Sequence, residues 1–427
     1  MPLANRKLAW VSPLPPARTD IAAYSVRLLG RGEHPGITLI HTGEGPLPVV
    51  GQCRVEPLSA LPELMAREGH LPIYHIGNNA DFHGPIVEAA QRYPGLVMAH
   101  DFQLQDLFLG LYRRRTDWFD AYHLAMQTHY GDSGSEAALA VSTGFSRHEE
   151  VSQHYPLLEE ACINALGVVT HNALLTDEIA TRTGLPTATL PLPYPADQAL
   201  VEDLRPYSGG PFRLLIFGYI GTNRGLREVF AAMVRNPLIH LDIAGSVGDE
   251  VGVEALMREY AIADRVTQKG FLSDIELDQA IARAHLVVNL RNPTMGEASG
   301  SQLRIWSVGA PSVVSNHGWY ANLPEEAVFK LDPGSATSGL LALVEQIIAT
   351  PESALATGRA GRKVLERDHD PSAYLCALHD LANGLGSLTA PWFGYALTRR
   401  NASRNAPKET AILNQRLAHL AAELTGF

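Results

Sequence analysis

The chain has 427 residues, of which 46% are hydrophobic and 19% are charged, so length and composition predict two globular domains with sizeable cores. The 37 Gly and 28 Pro residues are dispersed, which excludes collagen-like, coiled-coil and largely disordered proteins. A formal net charge of −11 argues against a nucleic-acid-binding protein and makes any anion site a local feature.

The three cysteines, Cys53, Cys162 and Cys376, stand far apart and form no CxxC pair. This pattern favours a reducing cytoplasm and predicts neither a zinc site nor a dithiol site. The N-terminal segment has a short basic start but no apolar signal-peptide core, and no run of about 18 apolar residues occurs. We therefore expect a cytoplasmic chain with no membrane span.

The first half repeats a short aliphatic run, a turn and a helical segment, which is typical of βαβ units with parallel strands. One intervening helix is predicted over Pro85–Arg92. The predicted strands are Leu8–Ser12, Ile37–His41, Leu71–His75, Leu96–His100, Gly167–Thr170 and Thr187–Leu190.

The segment from Pro191 to Gly210 has the composition of a linker and marks a domain boundary. Beyond it the same pattern resumes, which predicts a second doubly wound α/β domain. We assign residues 1–200 to an N-terminal domain, 201–385 to a C-terminal domain and 386–427 to a helical tail. The second set of predicted strands is Phe212–Phe217, His240–Ala244, Val266–Lys269, Leu286–Leu290, Ser312–Ser315 and Ala327–Leu331.

The first candidate site is the sequence GYIGTNRGLR at 218–227, because ligands of open α/β sheets bind beyond the carboxyl ends of the strands. Gly218 and Gly221 let the backbone approach a ligand, and Arg224 and Arg227 at the helix start could bind a diphosphate. The alternative is a plain strand-to-helix turn with solvated arginines. The spacing matches neither GxGxxG nor the Walker motif, so it does not support dinucleotide or Walker-type nucleotide binding.

The second candidate site is the segment NLRNPTMGEASGSQLRIWSVGAP at 289–311, which follows a buried strand and starts a helix. Ser299 or Ser301 can cap this helix, and Gly300 allows close approach to the free amides of its first turn, which favour phosphate. Glu297 is expected to project toward the same ligand. The alternative is that Ser-Gly-Ser only caps the helix, with Glu297 favourably placed near its positive end.

Two further groups of residues follow predicted strands. Phe271 and Leu272 could present backbone groups to a base, although an ordinary connection before the Ser273–Glu276 capping box explains them equally. In the first half, polar residues at two successive strand ends could hydrogen-bond a sugar acceptor, the alternative being structural histidines. These residues are His75, Asn78, Asn79, His83, His100 and Asp101.

Three motifs, GYIGTNRGL, KGFLSDIEL and MGEASGSQLRIWSVGAPSVVSNHGWY, resemble in order and separation the donor half of the retaining glycosyltransferases of family four. In the first half, SPLPPARTDIAAYS, YHIGNNADFH, PGLVMAHDFQLQDLF and ALGVVTHNALLTDEIATRTGLP are similar to bacterial, cell-surface glycan members of that family. The resemblance implies the GT-B fold, two doubly wound Rossmann-like domains with an interdomain crevice. It also implies a nucleoside-diphosphate sugar in the C-terminal domain and a saccharide or lipid-linked acceptor on the N-terminal domain.

The resemblance also implies roles for individual residues. Glu297 matches the first glutamate of the family's E-x7-E motif and His100 the histidine near the reaction centre, so these two are expected to be catalytic. Arg224 matches the lysine that neutralises the diphosphate. The other expected donor-binding residues are Gly218, Gly221, Arg227, Phe271, Leu272, Arg291, Ser299, Gly300 and Ser301. The expected acceptor-binding residues are Asp20, His75, Asn78, Asn79 and Asp101.

The sequence departs from the family at three places. The second glutamate of E-x7-E falls at residues 304–305, which are Arg-Ile, so carboxylate recognition of the ribose is unsupported. Tyr219 replaces a common arginine, which leaves Arg227 or Arg291 as substitutes. Asp20 stands where a glycine is expected, which places a carboxylate near the acceptor or phosphate.

We therefore expect a retaining, metal-independent hexosyltransferase of mannosyl or glucosyl type that needs no cofactor. Loose departure of the diphosphate would be stabilised by cations and helix amides, with the leaving phosphate drawing the acceptor proton. The missing second glutamate keeps open a noncatalytic sugar-nucleotide or glycan-binding subunit of a polysaccharide assembly complex. A third possibility, an oxidoreductase, is not supported because the sequence contains no dinucleotide-binding motif. The basic and aromatic stretch YRRRTDWF at 112–119 could contact anionic lipid at the inner face of the membrane or a lipid-linked pyrophosphate acceptor, the alternative being a solvated helix end.

Overall fold

The computed structural model describes residues 6–196, 204 and 206–385, and within them the chain forms two parallel sheets flanked by helices. The residue contacts divide the chain into two compact units. The first unit comprises the residues up to Pro191, Met295–Glu297 and the residues from Ser372 onward; the second comprises Leu192–Thr294 and Ala298–Pro371. The predicted tail, 386–427, lies outside the described residues.

The first unit contains a seven-stranded sheet in which every pair of neighbours is parallel. Its strands are β1 (Leu8–Ser12), β2 (Ile37–His41), β3 (Arg54–Pro57), β4 (Leu71–Ile76), β5 (Gly95–Ala99), β6 (Ala165–Thr170) and β7 (Thr187–Thr189). The order β3-β2-β1-β4-β5-β6-β7 reverses direction between β1 and β4. Such a switch point is where doubly wound sheets bind ligands.

Eight helices are described in this unit before the linker. They are α1 (Asp20–Leu29), α2 (Leu61–Glu68), α3 (Ala80–Arg92), α4 (Gln105–Tyr112), α5 (Trp118–Ser142), α6 (His148–Ser152), α7 (Leu158–Ala161) and α8 (Thr176–Thr183). The residues of β1, β2, β4, β5 and β6 are all buried, which is the pattern of parallel strands covered on both faces. Helix α5 is broken at Gly131, whose φ of 66° is left-handed.

The second unit contains a six-stranded parallel sheet in the order β10-β9-β8-β11-β12-β13, with its switch point between β8 and β11. The strands are β8 (Phe212–Phe217), β9 (Ile239–Ala244), β10 (Val266–Gly270), β11 (Leu286–Asn289), β12 (Ser312–Ser315) and β13 (Phe329–Leu331). Its helices are α9 (Leu226–Arg235), α10 (Val253–Glu259), α11 (Asp274–Arg283), α12 (Gly300–Val308), α13 (Ala336–Ala349) and α14 (Pro351–Asp368). The last described helix, α15 (Pro371–Gly384), belongs to the first unit from Ser372 onward.

Helix α12 is held in place by a close fit against α14. A Cβ atom on Gly361 would lie 2.2 Å from the Trp306 ring, and one on Gly358 would lie 2.2 Å from the carbonyl oxygen of Gly309. The Trp306 indole also donates to the Ala327 carbonyl at 3.0 Å. The C-terminal half of α12 is therefore held firmly against α14 and the residues before β13.

The predicted fold class, two doubly wound α/β domains, is confirmed by these two sheets. Strands β1, β2, β8 and β12 have the predicted bounds, whereas β3 was missed because Val55 is the one aliphatic residue in an exposed edge segment. No single described helix is long and apolar enough to cross a membrane. The bent pair Pro333–Ala349 and Pro351–Gly384, with 106° between its arms, reaches that length and composition only when taken together.

Candidate functional site

Two histidines meet at the carboxyl ends of β4 and β5. His75 lies in β4 and is fully buried, whereas His100 directly follows β5 and is half-buried. The Nδ1 atom of His75 lies 3.0 Å from the Nε2 atom of His100, so the two rings share one hydrogen bond. The structure thus brings together two of the predicted residues, but it places His75 behind His100, away from solvent.

Aromatic rings surround this pair. The ring centroid of Trp10 lies 4.0 Å from that of His75, and the rings of Tyr24 and His171 lie 5.2 and 5.1 Å from that of His100. Burial, together with repulsion from His171, holds the pKa of His75 and that of His100 well below the usual range. Both histidines are therefore neutral at physiological pH.

Asp101 is a carboxyl group adjacent to this pair. Its Oδ2 atom accepts the backbone N–H of Asn78 at 2.8 Å. Burial and then the nearby carboxylate of Glu297 raise the pKa of Asp101 to about 7, with smaller contributions from Asp106 and Asp20. Asp101 can therefore hold a proton near neutral pH, and the exposed Asp20 lies near enough to influence it.

The segment Met295–Glu297 belongs to the first unit although both of its chain neighbours belong to the second. The carbonyl oxygen of Met295 accepts the backbone N–H groups of Phe102 and Gln103, at 3.0 and 3.2 Å. The side chain of Asn172 donates to the carbonyl oxygen of Gly296 at 3.1 Å. These hydrogen bonds hold the segment against the residues that directly follow β5 and β6.

Gly296 allows this close contact. Its φ of +80° is left-handed, and a Cβ atom there would lie 2.6 Å from Phe102 Cβ and 2.8 Å from Leu175 Cδ1. The Oε2 atom of the next residue, Glu297, accepts the N–H of Met295 at 2.7 Å. The fit at Gly296 therefore determines where the Glu297 carboxylate lies.

The two predicted asparagines hold helices. The Asn78 side chain donates to Asp106 at 2.7 Å and accepts the backbone N–H of Leu107 at 3.0 Å, so both ends of its amide support α4. Asn79 caps α3 by accepting two backbone N–H groups of its first turn. Their predicted contact with an acceptor stays a prediction.

In the second unit, the loop after β8 is built around glycines. Gly218 has a φ of +93°, and Gly225 has a φ of +69° with Leu290 Cδ1 only 2.7 Å from the position of a Cβ atom. Both positions therefore favour glycine, whereas Gly221 has an extended backbone that any residue can adopt. The loop leaves Gly218 exposed at the end of the strand.

Arg224 is the notable charge of this loop. Its side chain is 2% exposed, and Nη2 donates to the Phe217 carbonyl at 2.7 Å. Its Nε and Nη1 atoms are buried with no acceptor within the part of the chain that the structure describes. Buried N–H groups of a cation are costly to leave unpaired, so the residue fits an anion that reaches this loop.

A buried amide network fixes the start of α12. Ser299 Oγ accepts the backbone N–H of Gln302 at 3.1 Å, as predicted for a helix cap. Asn289 donates to Ser299 Oγ at 3.3 Å and to Gln302 Oε1 at 3.1 Å, and Gln302 donates to Ser312 Oγ at 2.7 Å. This network joins the ends of β11 and β12 to the helix.

The start of α12 faces the glycine loop. A Cβ atom on Gly218 would lie 4.0 Å from Ser301 Oγ, and one on Gly300 would meet no other atom within 4 Å. The helix amides and the glycine loop therefore lie side by side within the second unit. This is the arrangement of backbone donors that binds phosphate in α/β proteins.

The other predicted donor-binding residues are not brought together with Arg224 and the start of α12 by any contact described below. Arg227 is exposed and lies 4.0 Å from Glu259 at the end of α10. Arg291 is half-buried, and its Nη1 atom donates to the carbonyl of Leu290 at 3.3 Å. Phe271, which is 77% exposed, and the half-buried Leu272 follow β10 as predicted.

The position of the second family glutamate holds no carboxylate. Ile305 is fully buried, and Arg304 is paired with Asp274 at 2.8 Å and with Asp278 at 2.6 Å. Both side chains thus have structural partners within the second unit. Among the described residues, no group of three His, Cys, Asp or Glu side chains is placed to hold a metal ion.

Sequence reasoning missed several residues around His100. Tyr24 donates to the hydroxyl of Tyr374 at 2.8 Å, and His171 packs against both rings. His171 directly follows β6, so it could have been found by looking for polar residues at the carboxyl ends of the strands. Tyr374 comes from α15, far along the chain, and no sequence signal connects it to this site.

No protein-family model and no curated protein sequence matches this chain. Solved structures match nearly all of it. Anabaena HepE in complex with UDP and glucose has 12% identity and a TM-score of 0.57, covering 88% of this chain and 99% of its own. Sucrose-phosphate synthase from Thermosynechococcus elongatus has 15% identity and a TM-score of 0.58, covering 90% and 100%. WaaG, a glycosyltransferase involved in lipopolysaccharide biosynthesis, has 13% identity and a TM-score of 0.54, covering 88% and 99%. At this identity the likeness establishes the fold, which is GT-B as predicted.

Proposed function

We propose that this protein is a glycosyltransferase that moves a hexosyl group from a nucleoside-diphosphate sugar to a saccharide or a lipid-linked saccharide. The observation that carries the proposal is Arg224, a buried guanidinium with two unpaired nitrogens next to a glycine loop. The fold supports it, since HepE binds UDP and glucose and WaaG is a glycosyltransferase. The sequence resemblance to family four points to the same activity.

The second unit is proposed to bind the donor. A diphosphate at the loop of Gly218 would meet the Nε and Nη1 atoms of Arg224 and the N-terminal amides of α12 near Ser301. The guanidinium supplies a fixed charge in a planar fork, and the helix start supplies a positive dipole. Both stabilise the negative charge that develops on the leaving diphosphate.

The first unit is proposed to bind the acceptor and the reacting sugar. In a retaining transfer the bond between the anomeric carbon and the phosphate oxygen breaks while a bond to the acceptor oxygen forms on the same face. The acceptor proton passes to the leaving phosphate oxygen, so no covalent nucleophile is required. His100 and Glu297 are proposed to contact the sugar, which makes positioning and electrostatics the main contributions of the protein.

Three further parts of the proposal come from the sequence. Transfer is proposed to be metal-independent and to require no cofactor besides the nucleotide-sugar substrate. The protein is proposed to act in the cytoplasm, at the inner face of the membrane when the acceptor is lipid-linked. The mannosyl or glucosyl type of donor is proposed on the family resemblance.

The first experiment is a thermal-stabilisation panel with UDP, GDP, ADP, NAD and the corresponding nucleotide sugars. A ligand that binds the folded state raises Tm in proportion to its affinity and concentration. Selective stabilisation by one nucleoside diphosphate and its sugar is expected, and it would identify the base. No response to any nucleoside diphosphate would contradict the proposed donor site, and a response to NAD alone would favour an oxidoreductase.

A second candidate function is a noncatalytic sugar-nucleotide or glycan-binding subunit. It is favoured by one observation: Ile305 is buried and Arg304 is paired with Asp274 and Asp278, so no carboxylate stands at the second family position. Release of free sugar from the donor in the absence of acceptor separates the two. A noncatalytic subunit binds the nucleotide without releasing its sugar.

A further inference from the structure

The hydrogen bond between His75 and His100 contains one hydrogen, and which ring carries it determines what His100 offers to a ligand. His75 Nδ1 and His100 Nε2 are 3.0 Å apart. In one arrangement His75 donates, and the proton of neutral His100 is on its other nitrogen, Nδ1. In the other arrangement His100 donates, and the proton of neutral His75 is on Nε2.

Burial discriminates between these arrangements. The Nε2 atom of His75 is buried and has no partner within the described residues. If His75 carried its proton there, an N–H group would be buried without an acceptor, which is energetically costly. A bare nitrogen lone pair is the more tolerable group to leave unpaired, because orphaned buried donors are rarer than under-used acceptors. The arrangement in which His75 donates is therefore favoured.

The neighbouring histidines have the same protonation pattern. His83 Nδ1 lies 3.0 Å from the carbonyl oxygen of His75, and His171 Nδ1 lies 2.8 Å from the carbonyl oxygen of Leu190. A carbonyl oxygen can only accept, so both rings carry a proton on Nδ1. Burial lowers the pKa of His83 to about 4 and those of His75 and His100 well below the usual range, so these three rings are neutral.

The second nitrogen of His100, Nδ1, is not fully enclosed by the described residues. His100 is half-buried, and its Nδ1 atom has no hydrogen bond to a described residue and is not among the buried polar atoms. The ring is held on its inner side by His75, which in turn stacks on Trp10 with a centroid distance of 4.0 Å. The ring therefore presents a single nitrogen to a ligand.

We propose that His75 is a positioning residue that fixes His100 in the tautomer with its proton on Nδ1, so that His100 donates a hydrogen bond to an oxygen of the bound sugar. The identity of that oxygen rests on the proposed function, but the tautomer does not. A neutral ring whose exposed nitrogen already carries a proton cannot accept one. His100 is thereby assigned to recognition of the sugar and excluded as the general base.

Nitrogen NMR tests the tautomer directly. The full-length protein is labelled with ¹⁵N-histidine, and two-bond ¹⁵N–¹H correlations distinguish Nδ1–H from Nε2–H rings, with His100 assigned by comparison with the His100→Gln variant. The expected result is a protonated Nδ1 on His100 and on His75. An Nε2–H ring at His100 would overturn the proposal. This readout requires no activity, so it stands whether or not the protein transfers sugars.

Two variants of His75 test its positioning role. His75→Phe keeps an aromatic ring against Trp10 but removes the donor, whereas His75→Asn places an amide N–H near the position of Nδ1. In His75→Phe nothing fixes the position of the proton on His100, so we expect the Nδ1–H tautomer to lose its predominance. We expect kcat to fall by about tenfold or more, with KM for the donor little changed. His75→Asn is expected to restore both.

An unchanged His100 tautomer in folded His75→Phe protein would contradict the role of His75. Equal losses of kcat in both variants, with the Nδ1–H tautomer retained in each, would assign His75 to packing alone. If His75→Phe does not fold, the wild-type and His75→Asn spectra still decide the tautomer. Failure of sugar transfer by the wild-type protein, with an intact Nδ1–H signal at His100, would contradict the proposed function and leave the tautomer standing.

Discussion

The carboxyl groups of Asp101 and Glu297 lie close enough within the first unit for Glu297 to raise the pKa of Asp101, although the two residues come from distant parts of the chain. The two carboxyl groups are near each other because the carbonyl of Met295, two residues before Glu297, accepts the backbone N–H groups of Phe102 and Gln103, directly after Asp101. Two like charges in a partly buried site destabilise each other, and a proton on Asp101 relieves that repulsion.

The first prediction concerns pH. The pKa of Asp101 is about 7 in the folded protein and near 4 in the unfolded chain. Between about pH 4 and pH 7 the Asp101 carboxyl is therefore protonated in the folded state and ionised in the unfolded state. Its contribution to stability is therefore fully present below about pH 4 and is lost as the pH rises through about 7. We expect the stability of wild type relative to Asp101→Asn to fall by about 1–4 kcal/mol over this range.

Urea unfolding of both proteins from pH 4.5 to 8 measures this difference. Glu297→Gln removes the second cause of the raised pKa of Asp101. In that background the loss of stability should therefore end at a lower pH. A difference between wild type and Asp101→Asn that is constant with pH would contradict the raised pKa. Subtracting the variant removes contributions from the other titrating groups that both proteins share.

The second prediction concerns Gly296. An alanine there would adopt a strained positive φ and bring Cβ within 2.6 Å of Phe102 Cβ. We expect Gly296→Ala to lower the free energy of unfolding by roughly 1–3 kcal/mol and to reduce transfer by displacing Glu297.

Gly300→Ala is the matched control for stability. A Cβ atom on Gly300 meets nothing within 4 Å, and its backbone has no positive φ. Its free energy of unfolding should stay within about 0.5 kcal/mol of wild type. Equal stability of the two alanine variants in denaturant unfolding would show that the Gly296 contact is not tight.

Much of the fold could be predicted from local sequence patterns. Buried parallel strands give continuous aliphatic runs bounded by turns, and this signal placed Phe212–Phe217 and Ser312–Ser315 without error. It failed at Arg54–Pro57, an edge strand whose side chains are exposed or half-buried. This segment is a strand because it pairs with β2, and its sequence has no pattern of apolar residues from which a strand could be predicted.

The site was predicted less completely, because strand ends show which residues share an edge but not how side chains use their atoms. His75 and Asn78 were identified because they lie at the carboxyl end of a predicted strand. In the structure, however, His75 lies behind His100 and the Asn78 amide supports α4. Gly296 was missed since its role depends on contact with Phe102, a tertiary relationship. Arg224 was identified by its place at a helix start after a predicted strand and by the family resemblance, but its burial and its two unpaired nitrogens could be seen only in the structure.

The third prediction concerns the two residues expected to touch the reacting sugar. Glu297→Gln and His100→Gln keep size and hydrogen-bonding capacity but change charge or the donated proton. We expect each to lower kcat by about 100-fold or more while leaving the affinity for the nucleoside diphosphate within a few fold. Near-normal turnover in both variants would contradict the assignment of the sugar to this edge of the first unit, and circular dichroism would confirm that the fold is retained.

The last prediction concerns Arg224, whose buried charge should have opposite effects on the free and the nucleotide-bound protein. Two of its nitrogens are buried without an acceptor among the described residues, so the free protein bears an uncompensated cost. Arg224→Met, which fills similar volume, is expected to leave Tm of the free protein unchanged or raised.

The same substitution should abolish most of the stabilisation by the nucleoside diphosphate. Loss of charge-assisted hydrogen bonds of about 1.5–3 kcal/mol corresponds to roughly 10- to 150-fold weaker binding. Arg227→Met is the matched control, because Arg227 is exposed and lies beside Glu259. Calorimetric titration of the three proteins checks the prediction, and equal affinity in wild type and Arg224→Met would show that the buried guanidinium serves the loop and not the diphosphate.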